Sequence, residues 1–207
     1  MQYSFQNIKF PDVNEATPEG LLAIGGDLSV QRLLYAYKHG IFPWFENEEP
    51  ILWWSPNPRF VLFPEKLKVS KSMKQVLRNG NYSVTVNKAF KAVITACSKI
   101  KRKDQASTWI TSSMIEAYVK LHELGYAKSV EVWRDNTLVG GLYGIDLGNS
   151  VFCGESMFAK ESNASKVGLI TFVQNTNYKL IDCQVHTKHL ESLGAEEISR
   201  DDFLKYL

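Results

Sequence analysis

Near the C-terminus of the chain the sequence LIDCQ (180–184) has the look of a short β-strand that carries polar side chains. Asp182 and Gln184 stand two residues apart, so an extended backbone turns both to one face and Cys183 to the other. Polar groups on a strand read as buried need partners, either within the fold or in a ligand. A carboxylate beside an amide can orient a hydrogen-bond donor such as an amine, or it can be a satisfied buried pair. Cys183, His186 and His189 are residue types that bind metals. The usual structural zinc site would need one more ligand, and no CxxC pair is present, so no metal is expected. Gly140-Gly141 and Gly25-Gly26 fit no phosphate-binding fingerprint, and turns or close backbone contacts suffice for them.

Charge is the second feature that could do chemistry. The net charge is only +2, but its distribution along the chain is uneven. Residues 1–65 hold 4 Lys/Arg against 8 Asp/Glu, and residues 104–207 hold 9 against 14. Between them, residues 66–103 hold 11 Lys/Arg and no acid. In KVSKSMKQVLRNG the spacing puts Met73, Val76 and Leu77 on one helical face and Lys71, Lys74 and Arg78 on the opposite one. Asn87 is placed to cap a following helix whose apolar residues are Phe90, Val93, Ile94 and Cys97. Lys99, Lys101, Arg102 and Lys103 end the block as an exposed loop. An acid-free run with acidic flanks fits an anionic partner, and a phosphate backbone is the obvious one. Such contacts position a nucleic acid without reading its sequence.

These residues are carried by an ordinary globular chain. Of the 207 residues, 44% are hydrophobic and 12% aromatic, which is ample material for a core and excludes disordered and collagen-like classes. No apolar run approaches the roughly 18–20 residues a spanning helix needs, and MQYSFQNIKF is not a signal peptide. Three cysteines, Cys97, Cys153 and Cys183, make no disulfide framework. A cytoplasmic protein is expected.

The elements follow from periodicity and punctuation. Ser29 caps a helix over about 30–38, Leu28 staples onto Leu33, and Gly40 closes it. From Phe42 to Arg59, the prolines at 43, 50, 56 and 58 argue against a helix or a central strand. A domain boundary is placed near Pro58, dividing residues 1–57 from 58–207. Beyond it come a helix over about 112–124 and strands at 129–134, 137–145 and 150–158, the first two joined by Asp135-Asn136. Ser162 or Asn163 caps a helix running to about Thr176. The strand 180–184 and two last helices, over 186–193 and 201–206, complete an α+β order with a mixed sheet.

The strings GLLAIGGDLS (20–29), YKHGIFPWF (37–45), ILWWSPNPR (51–59), TWIT (108–111), LHELG (121–125), SVEVWR (129–134), FCGESMF (152–158), NASK (163–166) and LIDCQ (180–184) are similar, in order, to the leucyl/phenylalanyl-tRNA–protein transferases. WWSP and FCGESMF are the most specific of them, and the similarity runs from about residue 10 to the end. The resemblance implies a small N-terminal α/β domain followed by an acetyltransferase-like mixed-sheet domain. It also implies an enzyme that moves leucine or phenylalanine, and less well methionine, from aminoacyl-tRNA to the N-terminal Arg or Lys of acceptor proteins. The product is a degradation signal.

Leucyl-tRNA, phenylalanyl-tRNA and those acceptors are the implied partners, with no cofactor and a monomeric protein. By resemblance, Asp182, Gln184 and Glu155 are the catalytic residues. Gln184 would orient the attacking amine, Asp182 would fix Gln184 and favour the approaching cation, and Glu155 would pair with the cationic N-terminus. Leu142, Phe152, Met157, Phe172 and Ile181 match the pocket for the aminoacyl side chain. Trp44 and Trp109 match the pair that stacks on the terminal adenosine, and Trp53 and Trp54 are assigned to structure. Lys71, Lys74 and Arg78 would grip tRNA phosphates. Leu142 stands where Met is familiar, a nearly volume-conserving change, and the chain ends at DDFLKYL, short of the tail the resemblance leads one to expect. A tRNA-binding module without catalysis would depend on the basic face alone. An acyl-coenzyme A enzyme would need a pyrophosphate loop that the sequence does not offer.

Overall fold

The computed structural model describes residues 9–46, 50–100 and 109–207. Lys101, Arg102, Lys103 and Thr108 lie outside the described residues. The N-terminal part is a three-stranded sheet with one helix. Strands β1 (Leu21–Ile24), β2 (Phe42–Pro43) and β3 (Leu52–Trp54) pair in the order β1-β3-β2, all antiparallel. β3 is thus a central strand, contrary to the expectation from the prolines. It is only three residues long and fits between Pro50 and Pro56, while Pro43 falls on an edge strand, where no ladder donor is missed. Helix α1 (Val30–Lys38) begins where the Ser29 hydroxyl accepts from the Arg32 N–H, and it ends before Gly40 at φ +72°. Its buried stripe of Leu33, Leu34 and Tyr37 stabilises the unit by roughly 1.5–3 kcal/mol per side chain.

The main sheet has seven strands. β4 (Arg59–Leu62) and β5 (Ser83–Val86) come early in the chain, then β6 (Ala127–Arg134), β7 (Thr137–Asp146), β8 (Val151–Ala159), β9 (Leu180–Gln184) and β10 (Glu196–Ile198). Their order is β10-β4-β9-β8-β7-β6-β5. Every neighbouring pair is antiparallel except β8 and β9. Asp135 and Asn136 both adopt positive φ, +48° and +63°, which is the two-residue hairpin turn the sequence announces between β6 and β7. The sequence reading passed over three short strands of this sheet, the edge strands β5 and β10 and the interior strand β4.

Helices cover both faces. α3 (Phe90–Lys99) and α4 (Ser112–Glu123) join α1 in one apolar cluster with Tyr143 and Ile145 of β7. α5 (Ala164–Gln174) packs on the other face with Met73 of α2 (Lys71–Arg78). α5 is apolar nearly all round, so it must be buried. A Cβ on Gly140 would lie 2.7 Å from the Ala164 Cβ, so that glycine serves close packing of β7 on the helix.

Three helix boundaries differ from expectation. Asn87 does not cap α3; it sits at φ +59° and accepts from the Ser129 N–H. The fully buried Glu131 of β6 instead accepts from the N–H groups of Lys88 and Ala89, the two residues just ahead of the helix, and so fixes its entry from a neighbouring strand. Asn163 precedes α5 in a left-handed conformation, with no side-chain cap. The last helices are short, α6 (Lys188–Glu191) and α7 (Arg200–Leu204), with β10 between them. The expected α+β class, with a small N-terminal unit ahead of a mixed sheet, stands. Among the described residues no helix is long and apolar enough to cross a membrane.

Candidate active site

The parallel ladder of β8 and β9 runs from Val151/Leu180 to Cys153/Asp182 and then stops. β8 continues beside β7, β9 stays with β4, and a cavity of about 520 Å³ opens between them. Leu142, Phe152, Met157, Leu169 and Ile181 give it an apolar wall. Trp44 and Trp109 line it as well, and Glu155, Asp182 and Gln184 bring the polar groups. Nine of the sequence-nominated residues, Trp44, Trp109, Leu142, Phe152, Glu155, Met157, Ile181, Asp182 and Gln184, therefore line one cavity, whereas Phe172 does not. Its ring stands behind Phe152 in an edge contact at 4.8 Å and packs against Tyr178. Leu169, from the same helix, takes the lining position, because a helix facing a sheet presents only one side to the gap.

The polar groups form one connected network. Asp182 is fully buried, and Arg59 binds both its oxygens, Nε to Oδ1 at 2.8 Å and Nη2 to Oδ2 at 2.7 Å. Asp182 Oδ1 also accepts from the Gln184 backbone N–H at 2.9 Å. Gln184 itself adopts φ +65°, a left-handed conformation uncommon outside glycine. The simple strand alternation therefore fails at Gln184. Its side-chain amide donates through Nε2 to Glu155 Oε1 at 2.8 Å, bridging the gap between the strands.

Glu155 is buried, not a surface acid at a strand end. Its Oε2 accepts from the Tyr118 hydroxyl at 3.1 Å, and the Tyr118 and Tyr37 hydroxyls are hydrogen-bonded to each other. Burial pushes its pKa up to about 7, against the opposing pull of hydrogen bonds from Tyr37 and Tyr118. Burial also raises the Cys153 and Cys183 thiols, with the Asp182 charge adding to the shift. Both stay protonated and are poor nucleophiles.

Trp44 is held by the second tryptophan of WWSP. Trp54 donates Nε1–H to the Trp44 carbonyl at 2.7 Å, and the two rings lie tilted with centroids 5.8 Å apart. Trp53 is buried and donates to the Gly25 carbonyl. Lys71, Lys74 and Arg78 are exposed on α2, outside the cavity. His189 lines the cavity, whereas His186 faces Glu191 at 3.2 Å.

Sequence reasoning missed three residues of the network: Arg59, Tyr37 and Tyr118. A buried aspartate demands a cation, and a tyrosine on a buried helical stripe demands a hydrogen-bond partner. Those demands were legible, but the partners lie 123 and 37 residues away in sequence.

A cavity with apolar walls and a few oriented polar groups can hold an apolar group next to a reacting centre. Comparison with known proteins narrows this class. The model of the "Leucyl/phenylalanyl-tRNA protein transferase" family matches residues 61–207, and that of its N-terminal domain matches 26–57. The chain is 59% identical to the leucyl/phenylalanyl-tRNA–protein transferase of Flavobacterium johnsoniae, covering 100% of this chain and 99% of that one. Identity is 57% to the Flavobacterium psychrophilum protein, over the same shares. Identity is 55% to that of Pectobacterium carotovorum, over 100% of this chain and 88% of the relative. A GCN5-related N-acetyltransferase from Kribbella flavida is 12% identical, with a TM-score of 0.39 over 79% of this chain and 58% of that one. The protein belongs to the leucyl/phenylalanyl-tRNA–protein transferase family and is an enzyme of that class.

Proposed function

We infer that this protein moves leucine or phenylalanine, and less well methionine, from its tRNA onto the N-terminal Arg or Lys of acceptor proteins, creating an N-terminal degradation signal. The acceptor's neutral α-amine attacks the carbonyl carbon of the aminoacyl ester. The new C–N bond forms as the ester C–O bond breaks, and the proton lost by the amine ends on the released ribose oxygen. The ester is already activated, so positioning supplies most of the acceleration.

The observation that carries this reading is the Gln184 amide set beside an apolar cavity. Because Nε2 donates to Glu155, the amide carbonyl is left to accept from the attacking amine. Leu142, Phe152, Met157 and Ile181 enclose the aminoacyl side chain. Such a pocket admits Leu, Phe and Met by size, rejects β-branched Ile and Val by shape, and rejects charged side chains by desolvation. Trp44 and Trp109 stack on the terminal adenosine, and Lys71, Lys74 and Arg78 hold backbone phosphates. The chain acts as a monomer in the cytoplasm, where charged tRNAs are found, and its two parts divide at residues 57 and 58.

The test mixes purified protein, radiolabelled leucyl-tRNA and two peptides, one beginning with Arg and one with Ala. Label on the Arg peptide alone is expected. No label on either peptide, with tRNA binding intact, would leave a binding module and overturn the assignment.

A further inference from the structure

Arg59 has no role in the reading above, yet it is the most heavily engaged cation in the described protein. Only 1% of it is exposed. Its guanidinium is sandwiched between the rings of Phe42 and Phe203, at 4.7 and 4.6 Å from their centroids. It grips Asp182 in a two-pronged ion pair and spends a further N–H on the Gly40 carbonyl at 3.2 Å. Phe42 lines the cavity two residues before Trp44, and Gly40 closes helix α1. One side chain therefore ties together the end of α1, the strand leading to Trp44, the C-terminal helix and the strand that ends in Gln184.

We propose that Arg59 is the positioning residue of the transfer step, acting through Asp182 to hold Gln184 in its left-handed conformation. Asp182 is then an anchor, not a base or a lure for the incoming cation. Both its oxygens are bound by Arg59, and Oδ1 also accepts from the Gln184 N–H, with the Cys153 thiol as a further hydrogen-bond neighbour. Gln184 is pinned by its backbone to Asp182 and by its side chain to Glu155, and the Val185 N–H closes a turn over it onto the Cys183 carbonyl at 2.8 Å. Losing the first pin lets the residue relax toward ordinary strand dihedrals, which swings the amide off Glu155. A lysine could keep the charge but not the planar fork that holds two oxygens at once.

The proposal rests on the transferase reading, and the test separates the two. Wild-type protein, Arg59→Lys and the double variant Arg59→Met/Asp182→Leu are compared. The double variant removes both buried charges, an exchange that commonly leaves a protein folded. Three quantities are read: leucyl-tRNA affinity, the single-turnover transfer rate at saturation with its pH profile, and hydrogen exchange at the Gln184 N–H. Both variants are expected to bind leucyl-tRNA within about threefold of wild type and to transfer about 100-fold more slowly. Exchange at Gln184 should be faster in both, and the acid limb of the rate profile should not move in Arg59→Lys, which keeps both charges. A double variant that transfers at the wild-type rate would overturn the proposal. So would unchanged exchange at Gln184, or an acid limb that shifts upward in Arg59→Lys, since that shift would show Arg59 acting through its charge on the site and not through the pin on Gln184. A wild-type protein that transfers nothing would sink the transferase reading alone, because the exchange measurement would still report the anchor.

Discussion

The cavity between β8 and β9 and the basic helix α2 handle charge in opposite ways. Around the cavity, charges are buried and committed. Arg59 and Asp182 are each about 1% exposed and bonded to one another, and Glu155 is ringed by Gln184 and Tyr118. On α2 the cations stand in solvent, and among the described residues Lys71, Lys74 and Arg78 are in no ion pair. Removing a charge from water costs several kcal/mol, which is recovered only by good geometry, so a buried network fixes direction. Exposed lysines fix nothing and stay free to replace counterions along a phosphate backbone. One region should therefore respond to single substitutions steeply and the other gradually.

The sharpest break comes at Gln184. Gln184→Ala should lower the saturated transfer rate at least about 100-fold while leucyl-tRNA affinity changes less than about twofold. Filter binding beside single-turnover kinetics measures both, and an equal loss in the two would merge the regions that this comparison keeps apart.

Glu155 should show its burial in a pH titration of stability. Its folded pKa near 7 lies above the ordinary 4.5, so the folded state holds the proton more tightly between those values. Stability is then fullest below about pH 4.5, falls as the pH rises toward 7 and levels off above it, a change of about 3 kcal/mol. Denaturant melts across that range should lose this slope in Glu155→Gln, and a variant that keeps it would assign the slope elsewhere.

Trp44 lies between the extremes, partly exposed yet held by Trp54. Trp44→Ala should weaken leucyl-tRNA binding by about 1–3 kcal/mol, the worth of a stacked base. Trp54→Phe keeps the ring but loses the bond to the Trp44 carbonyl, and it should cost about 1 kcal/mol of the same affinity. A larger loss in Trp54→Phe than in Trp44→Ala would show that the stacking surface is misassigned.

The smallest single effects belong to α2. Lys71→Ala, Lys74→Ala or Arg78→Ala should each reduce the slope of log affinity against log salt by about 0.7–0.9, with the saturated rate unchanged. Equal tRNA affinity for the wild type at 50 and 500 mM salt (about a tenfold range) would remove the phosphate reading altogether.

Much of this contrast was visible in the sequence, and the exceptions share a cause. α1 with Ser29 and Gly40, the Asp135-Asn136 hairpin and the amphipathic face of α2 are local, since each depends on residues within a turn or two. Asn87, a helix cap by local reading, is drawn instead to the Ser129 N–H, and Glu131, 44 positions on, binds the two N–H groups just ahead of the helix. Phe172 was placed in the pocket by its family position, and packing set it one layer behind, against Phe152. β3 became a central strand because its short span escapes the flanking prolines.

The sequence by itself determined the family, the class of fold, the polar pair on the last strand of the site and the basic face of α2. Composition and short-range periodicity carry those, because they need no knowledge of which distant residues meet. Only the tertiary structure decided that Asp182 is matched by Arg59, that Gln184 bends into a left-handed turn, and that Glu155 sits against two tyrosines. Each depends on burial at a junction of elements far apart in sequence, where the cost of desolvating a charge is met by partners that the chain order does not reveal.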